Sequence, residues 1–151
     1  VSDVIRSASF PIEVIERVPT LTALREAIVT RLLNDVGLAA LAGNRIYLRP
    51  VRINLAVLPV VTLSDFGART TPRIPLLDRI YQIDVWARDV DEAERLAVRV
   101  QAVLHEQPLP LPSGQARIDY LSLIADRDDV AEEGDVSRKT LEFRLLAFEL
   151  T

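Results

Sequence analysis

Hydrophobic and polar positions recur along this chain with two different periods, and each change of period marks an element. In residues 21–35, Leu21, Leu24, Ile28 and Leu32 repeat at helical spacing, with Val29 and Leu33 widening the stripe. That pattern predicts an amphipathic helix, capped by Thr20 or Thr22 and ended by Gly37. A short helical turn through Leu38–Leu41 follows, closed by Gly43 and Asn44. The period falls to two in residues 78–88, where Tyr81, Ile83, Val85 and Ala87 share one face of a strand. Gln82, Asp84 and Arg88 take the other face with Ile80 and Trp86, and Trp86 is expected to pack beneath a helix or a neighbour. Residues 138–150 repeat the alternation, with Leu141, Phe143, Leu145 and Ala147 opposed to Thr140, Glu142, Arg144 and Leu146. Shorter strands are expected at 45–49, 57–65 and 116–125, the second with Pro59 at its start or on an edge, because proline cannot donate to a ladder. Residues 89–106 return to helical spacing through Ala93, Leu96, Ala97, Val100 and Leu104, and Asp89 with Glu92, or Asp91 with Glu94, forms a capping box.

The order is helix, three strands, helix, two strands. It predicts an α+β fold: a mostly antiparallel sheet of about five strands with two main helices packed on one face. Three segments fall outside that body. Residues 1–19 read as an apolar arm broken by Pro11 and Pro19, packed on its own core or laid on a neighbouring subunit. Residues 66–77 carry Gly67, Pro72, Pro75, Arg69 and Arg73, and read as a long loop or hairpin arm. Residues 126–137 read as an acidic loop at the tip of the last hairpin. The domain organisation expected is an arm, 1–19, and a single domain, 20–151.

Composition narrows the chemistry. At 151 residues the chain is long enough for one self-sufficient core. Its net charge of −4 is the wrong sign for bulk nucleic-acid binding. Of the 18 basic residues only Lys139 is not Arg, which suits planar contacts at interfaces and equally an Arg-rich codon bias. With no Cys and one His, thiolate nucleophiles, disulfides and Cys- or His-built metal cages are excluded. No run reaches 18 apolar residues and the start lacks the pattern of a signal peptide, so a soluble intracellular chain without a membrane span is expected. No phosphate-cradling loop, nucleophile elbow or zinc-protease motif is present.

The remaining candidates have plain structural readings. Asp126, Asp128, Asp129, Glu132, Glu133 and Asp135 could ligate a hard cation but lack the spacing of a calcium loop. A solvated hairpin tip or a partner-facing acidic patch explains them as well. His105, in the last turn of its helix, reads as a surface or capping residue. Asp84 and Asp119 could meet across a sheet as an acid–base pair, although the many arginines favour salt bridges. No catalytic residue, cofactor or metal follows, and the reading is not an enzyme. A binding or adaptor module would need a basic stripe; a hydrolase-like α+β enzyme would need a pocket and a nucleophile.

The element order resembles the tail-completion, or tail terminator, proteins that join head to tail in long-tailed bacteriophages. The resemblance lies in 21–48, 58–66, 81–104 and 140–150, above all where the Tyr81–Trp86 strand runs into an acid-capped helix. The arm of about twenty residues departs from the short start of that family. The resemblance implies a structural virion protein assembled in the host cytoplasm: a ring, usually hexameric, on the head-proximal end of the tail tube. Such a ring stops tube polymerisation, presents a surface to the head connector and lets DNA through without binding it. Partner contacts are expected at Phe10, Ile12, Phe66, Arg69, Arg73 and Leu76. An acidic channel surface is expected at Asp126, Asp128, Asp129, Glu132 and Glu133, where negative charge would keep DNA from sticking.

Overall fold

The computed structural model describes residues 21–54, 56–66, 76–109, 111, 116–130 and 136–149, apart from the side chains of 116, 117, 119, 129, 130 and 149. Helix α1 occupies 21–33 of these. It is followed by α2 (Val36–Ala42), β1 (Ile46–Leu48), β2 (Val60–Asp65), β3 (Leu76–Ala87), α3 (Val90–Leu104), β4 (Ala116–Val130) and β5 (Ser137–Glu149). The strands form one sheet in the order β1-β2-β3-β5-β4.

The α+β fold matches the expectation, with one refinement. The sheet is mixed: β1 runs parallel to β2, while the other three pairings are antiparallel. The expected helix end at Gly37 is also corrected. The chain leaves α1 at Asn34, and Asp35 caps a new helix, its carboxylate accepting from the Leu38 N–H at 2.9 Å. Gly37 therefore lies inside α2. Its missing side chain has a use, because a Cβ there would come within 2.5 Å of Arg99 Nε. Arg99 crosses α2 at that point to grip both Asp35 oxygens, at 2.6 and 2.7 Å, and so ties α2 to α3.

The core lies between the helices and one face of the sheet. Leu77, Tyr81, Ile83, Val85 and Ala87 of β3 and Leu141, Phe143, Leu145 and Ala147 of β5 are buried there, as their alternation predicts. They meet Leu24, Ile28 and Leu32 of α1, Leu38 of α2 and Leu96, Ala97 and Val100 of α3. Each buried Leu, Ile, Val or Phe contributes about 1.5–3 kcal/mol relative to exposure, so this layer dominates stability. The α3 cap is the expected one: Asp89 Oδ1 accepts from the Glu92 N–H at 2.7 Å, and Glu92 reaches back to the Arg88 N–H at 3.1 Å.

The sheet has two outer strands, and β4 is partly sealed by the end of α3. Glu106 takes a left-handed conformation (φ 55°) and donates its N–H to Leu121 O at 2.8 Å. His105 Nδ1 accepts from the Leu123 N–H at 3.0 Å. Together they satisfy outward backbone groups that an edge strand otherwise leaves open to further pairing. Register shifts between Ile118 and Tyr120 and between Leu123 and Ala125 bend the same strand.

Candidate assembly surfaces

Among the described residues, helices pack on one side of the sheet; Thr62, Gln82, Asp84, Ser122 and Thr140 on its second face are buried. Strand alternation brings Asp78, Ile80, Gln82, Asp84 and Trp86 of β3 onto it, beside Arg138, Thr140, Glu142, Arg144 and Leu146 of β5. From β4, Tyr120, Ser122 and Arg127 join them. Asp84 sits near the centre of this layer and is only 4% exposed. Its Oδ1 accepts from Thr140 Oγ1 at 2.7 Å and from Arg138 Nη2 at 3.3 Å, and Gln82 Nε2 donates to both its oxygens. Arg138 also lies 4.7 Å above the Trp86 ring, a cation–π arrangement, and Trp86 Nε1 donates to Thr62 Oγ1 at 3.3 Å. A buried carboxylate needs such partners, because burial without them costs several kcal/mol.

Two further ion pairs complete the face. Arg144 grips both oxygens of Asp78, at 3.0 and 2.8 Å, and Arg127 meets Glu142 at 2.7 Å. Asp84 and Asp119 do not stand opposite each other, since β5 lies between β3 and β4; Asp84 stands opposite Thr140 and meets Arg138, the salt bridging that the many arginines favour.

The acidic residues belong elsewhere. Asp126, Asp128 and Asp129 are part of β4, which runs to Val130, and not of a loop; the ladder to Leu141, Lys139 and Arg138 extends the strand through them. Asp126 and Asp128 lie on the helix side around Lys139, whose Nζ is 3.4 and 3.7 Å from them and 2.6 Å from Glu94 of α3. Burial alone would lower the Lys139 pKa, but the hydrogen bond that its ammonium donates to Glu94 and the charge of Asp126 outweigh it, and the pKa lies above the ordinary value. Glu132 and Glu133 lie outside the described residues.

Of the expected partner contacts, Phe10, Ile12, Arg69 and Arg73 also lie outside the described residues, as do the arm 1–19 and most of the loop. Phe66 follows β2 directly and is 64% exposed. Leu76 is the first residue of β3, paired with Phe148, and so is not a loop residue. At the outer strand β1, Tyr47 and Leu48 are exposed, a surface the periodicity did not single out because three residues are too few to carry a period. His105 is the C-cap residue of α3, the capping role expected, with the added contact to β4.

Among the described residues, no group of three or more His, Asp or Glu is placed to hold a metal ion, and no helix is long and apolar enough to cross a membrane. A shallow depression lined by Glu106, Pro108, Ile118, Tyr120 and Leu121 adjoins the sealed edge and brings together no nucleophile and base.

No curated protein sequence matches the chain. A solved chain from the virion of a native gene transfer agent particle is 25% identical, with a TM-score of 0.69 over 85% of this chain and 96% of that one. A second solved structure superposes with a TM-score of 0.60 at 10% identity, covering 87% of this chain and 97% of its own, and shares the fold. The family model for tail completion protein gp17 matches residues 26–147, the body from α1 to the end of the core in β5, and the chain belongs to that family of structural phage-tail proteins.

Proposed function

We propose that six copies of this chain form a ring on the head-proximal end of a tail tube, where the ring ends tube polymerisation and presents a docking surface to the head connector. The observation that carries the proposal is the family match across 26–147, supported by the likeness to a virion component. Closed rings use heterologous contacts, one patch meeting a different patch on the next copy. Exposed Phe66, with Tyr47 and Leu48 on the outer strand, offers an apolar surface for one such contact. The arm 1–19 ahead of the domain 20–151, with Phe10 and Ile12, and the loop with Arg69, Arg73 and the adjoining Leu76 supply the others, toward sister subunits, the tube protein and the connector. DNA passes through the lumen without specific binding, and the chain needs no cofactor and catalyses no reaction.

Light scattering on the purified chain, alone and mixed with tail tubes, tests this. The expected species has about six times the 16.9 kDa chain mass, formed in solution or only on tubes. Deleting residues 1–18 is expected to weaken that assembly while leaving the circular dichroism and unfolding of the body unchanged. A strictly monomeric chain that ignores tubes contradicts the proposal.

A further inference from the structure

The register of the sheet sets features of its two outer edges at matching heights. Across the strands, Ile46 of β1 leads through Val61, Val85 and Lys139 to Asp128 of β4, and Leu48 leads through Leu63, Ile83 and Leu141 to Asp126. The two ends of these rows carry opposite charge. Residues 36–64, which include β1, hold Arg45, Arg49 and Arg52 and no carboxylate. Among the described residues, Arg45 and Arg49 meet the backbone carbonyls of Pro59 and Val51, each at 2.8 Å, and Arg52 is exposed, so their positive charge is not neutralised within the body. At the far ends, Asp126 and Asp128 share the ammonium of Lys139 with Glu94, and one cation does not neutralise three carboxylates. Asp128 is the most open of the three, its side chain 76% exposed.

A second pair of features follows the first in the same order. β1 ends at Leu48, while β2 runs on to Asp65 and Phe66, whose N–H still donates to Ile80 O at 3.1 Å. That row continues through Arg144 to Ser122 of β4, two residues from Tyr120. Phe66 and Tyr120 are both exposed, and Tyr120 lines the depression beside Pro108 and Ile118. Along one direction, then, the β1–β2 edge shows arginines and next Phe66, and the β4 edge shows carboxylates and next Tyr120. His105 and Glu106 already occupy backbone groups of Leu123 and Leu121, so the β4 edge is suited to contact through side chains and not to a further strand at that height.

We infer that neighbouring copies of this chain dock the β1–β2 edge of one against the β4 edge of the next, with Arg45, Arg49 and Arg52 facing Asp126 and Asp128, and Phe66 entering the depression beside Tyr120. The occupant is a second copy because both halves of the match lie on one chain at matching heights, as a heterologous contact between identical subunits requires. The inference rests on the ring proposed above and adds the two surfaces that close it. Opposite charges steer the approach and fix the register, and the aromatic contact removes apolar area from water.

The chain contains no cysteine, so introduced thiols react alone. Leu48→Cys and Ile124→Cys place exposed thiols on the two edges and leave the named contact residues intact; the row of Leu48 ends two residues from Ile124. The two variants are mixed with tail tubes and treated with a short bismaleimide. Covalent dimers are expected from the mixture and none from either variant alone. Rings that form without dimers in the mixture, or dimers from one variant alone, overturn the docking and leave the ring standing. If neither the variants nor the unaltered chain assembles on tubes or in solution, the ring proposal fails and the docking with it. Charge reversal gives a second measurement that needs no thiol. Arg49→Glu and Asp128→Arg, with circular dichroism unchanged, are each expected to raise the concentration for half-assembly about tenfold, and to regain most of that loss when combined in one chain. Losses that add in the combined variant overturn the charge match.

Discussion

Asp84 carries a carboxylate into the middle of a sheet because Thr140, Gln82 and Arg138 together replace its water. Asp84→Ala would leave those donors facing a void, with a loss of about 2–3 kcal/mol in urea unfolding. Glu142→Gln breaks a more open pair and is expected to cost less than about 1 kcal/mol. Equal losses would show that the network around Asp84 is not a buried unit. Asp35 behaves as a titrating latch. The hydrogen bond from Arg99 holds its pKa below the ordinary 3.8, against the opposing effect of burial, with help from the Leu38 N–H. A depressed carboxyl pKa stabilises the fold above its unfolded value, so this contribution is full above about pH 4 and drains as the pH falls below 3.8. In Gly37→Ala, the new methyl displaces Arg99, and the melting temperature is expected to depend less on pH between 2 and 5. An undiminished acid slope would mean that Arg99 does not set it. Sequence alone could mark Asp84 as a strand carboxylate among arginines, but not which arginine it meets, because that depends on the strand order.

At the scale of elements, the period-two strands and the capped helix were legible because each buries one face, so every second or every third and fourth residue is apolar. Tyr81, Ile83, Val85 and Ala87, and again Leu141, Phe143, Leu145 and Ala147, occupy the core as read. What the pattern hid was direction and length. Periodicity is the same for parallel and antiparallel neighbours, so the parallel pairing of β1 with β2 left no trace in it. The acidic end of β4 reads as loop because its alternation lacks apolar residues; its core-side positions hold Asp126 and Asp128, which pair with Lys139 where the core runs out. The seal of β4 by α3 also depends on tertiary placement of one side chain. His105→Ala removes the acceptor of the Leu123 N–H, and that amide is expected to exchange faster with deuterium while amides in β3 stay protected. Unchanged exchange at Leu123 would show that the imidazole does not close the edge.

For the whole molecule, the family match spans 26–147; of the segments expected to reach partners, the arm precedes that span and the loop between Phe66 and Leu76 interrupts it. That division explains why the fold was legible while the assembly surfaces were only partly so. A core is specified by contacts within one chain, whereas a ring contact is specified by two copies and leaves only exposed apolar residues, such as Phe66, as its mark. The proposed role is to end the tube and join it to the head. The most direct test is electron microscopy of tail lengths from an infection or induction in which the chain is absent. Headless tails of uneven and excessive length are expected, returned to uniform length and joined to heads when the full chain is supplied. Tails of normal, uniform length attached to filled heads in its absence would contradict it.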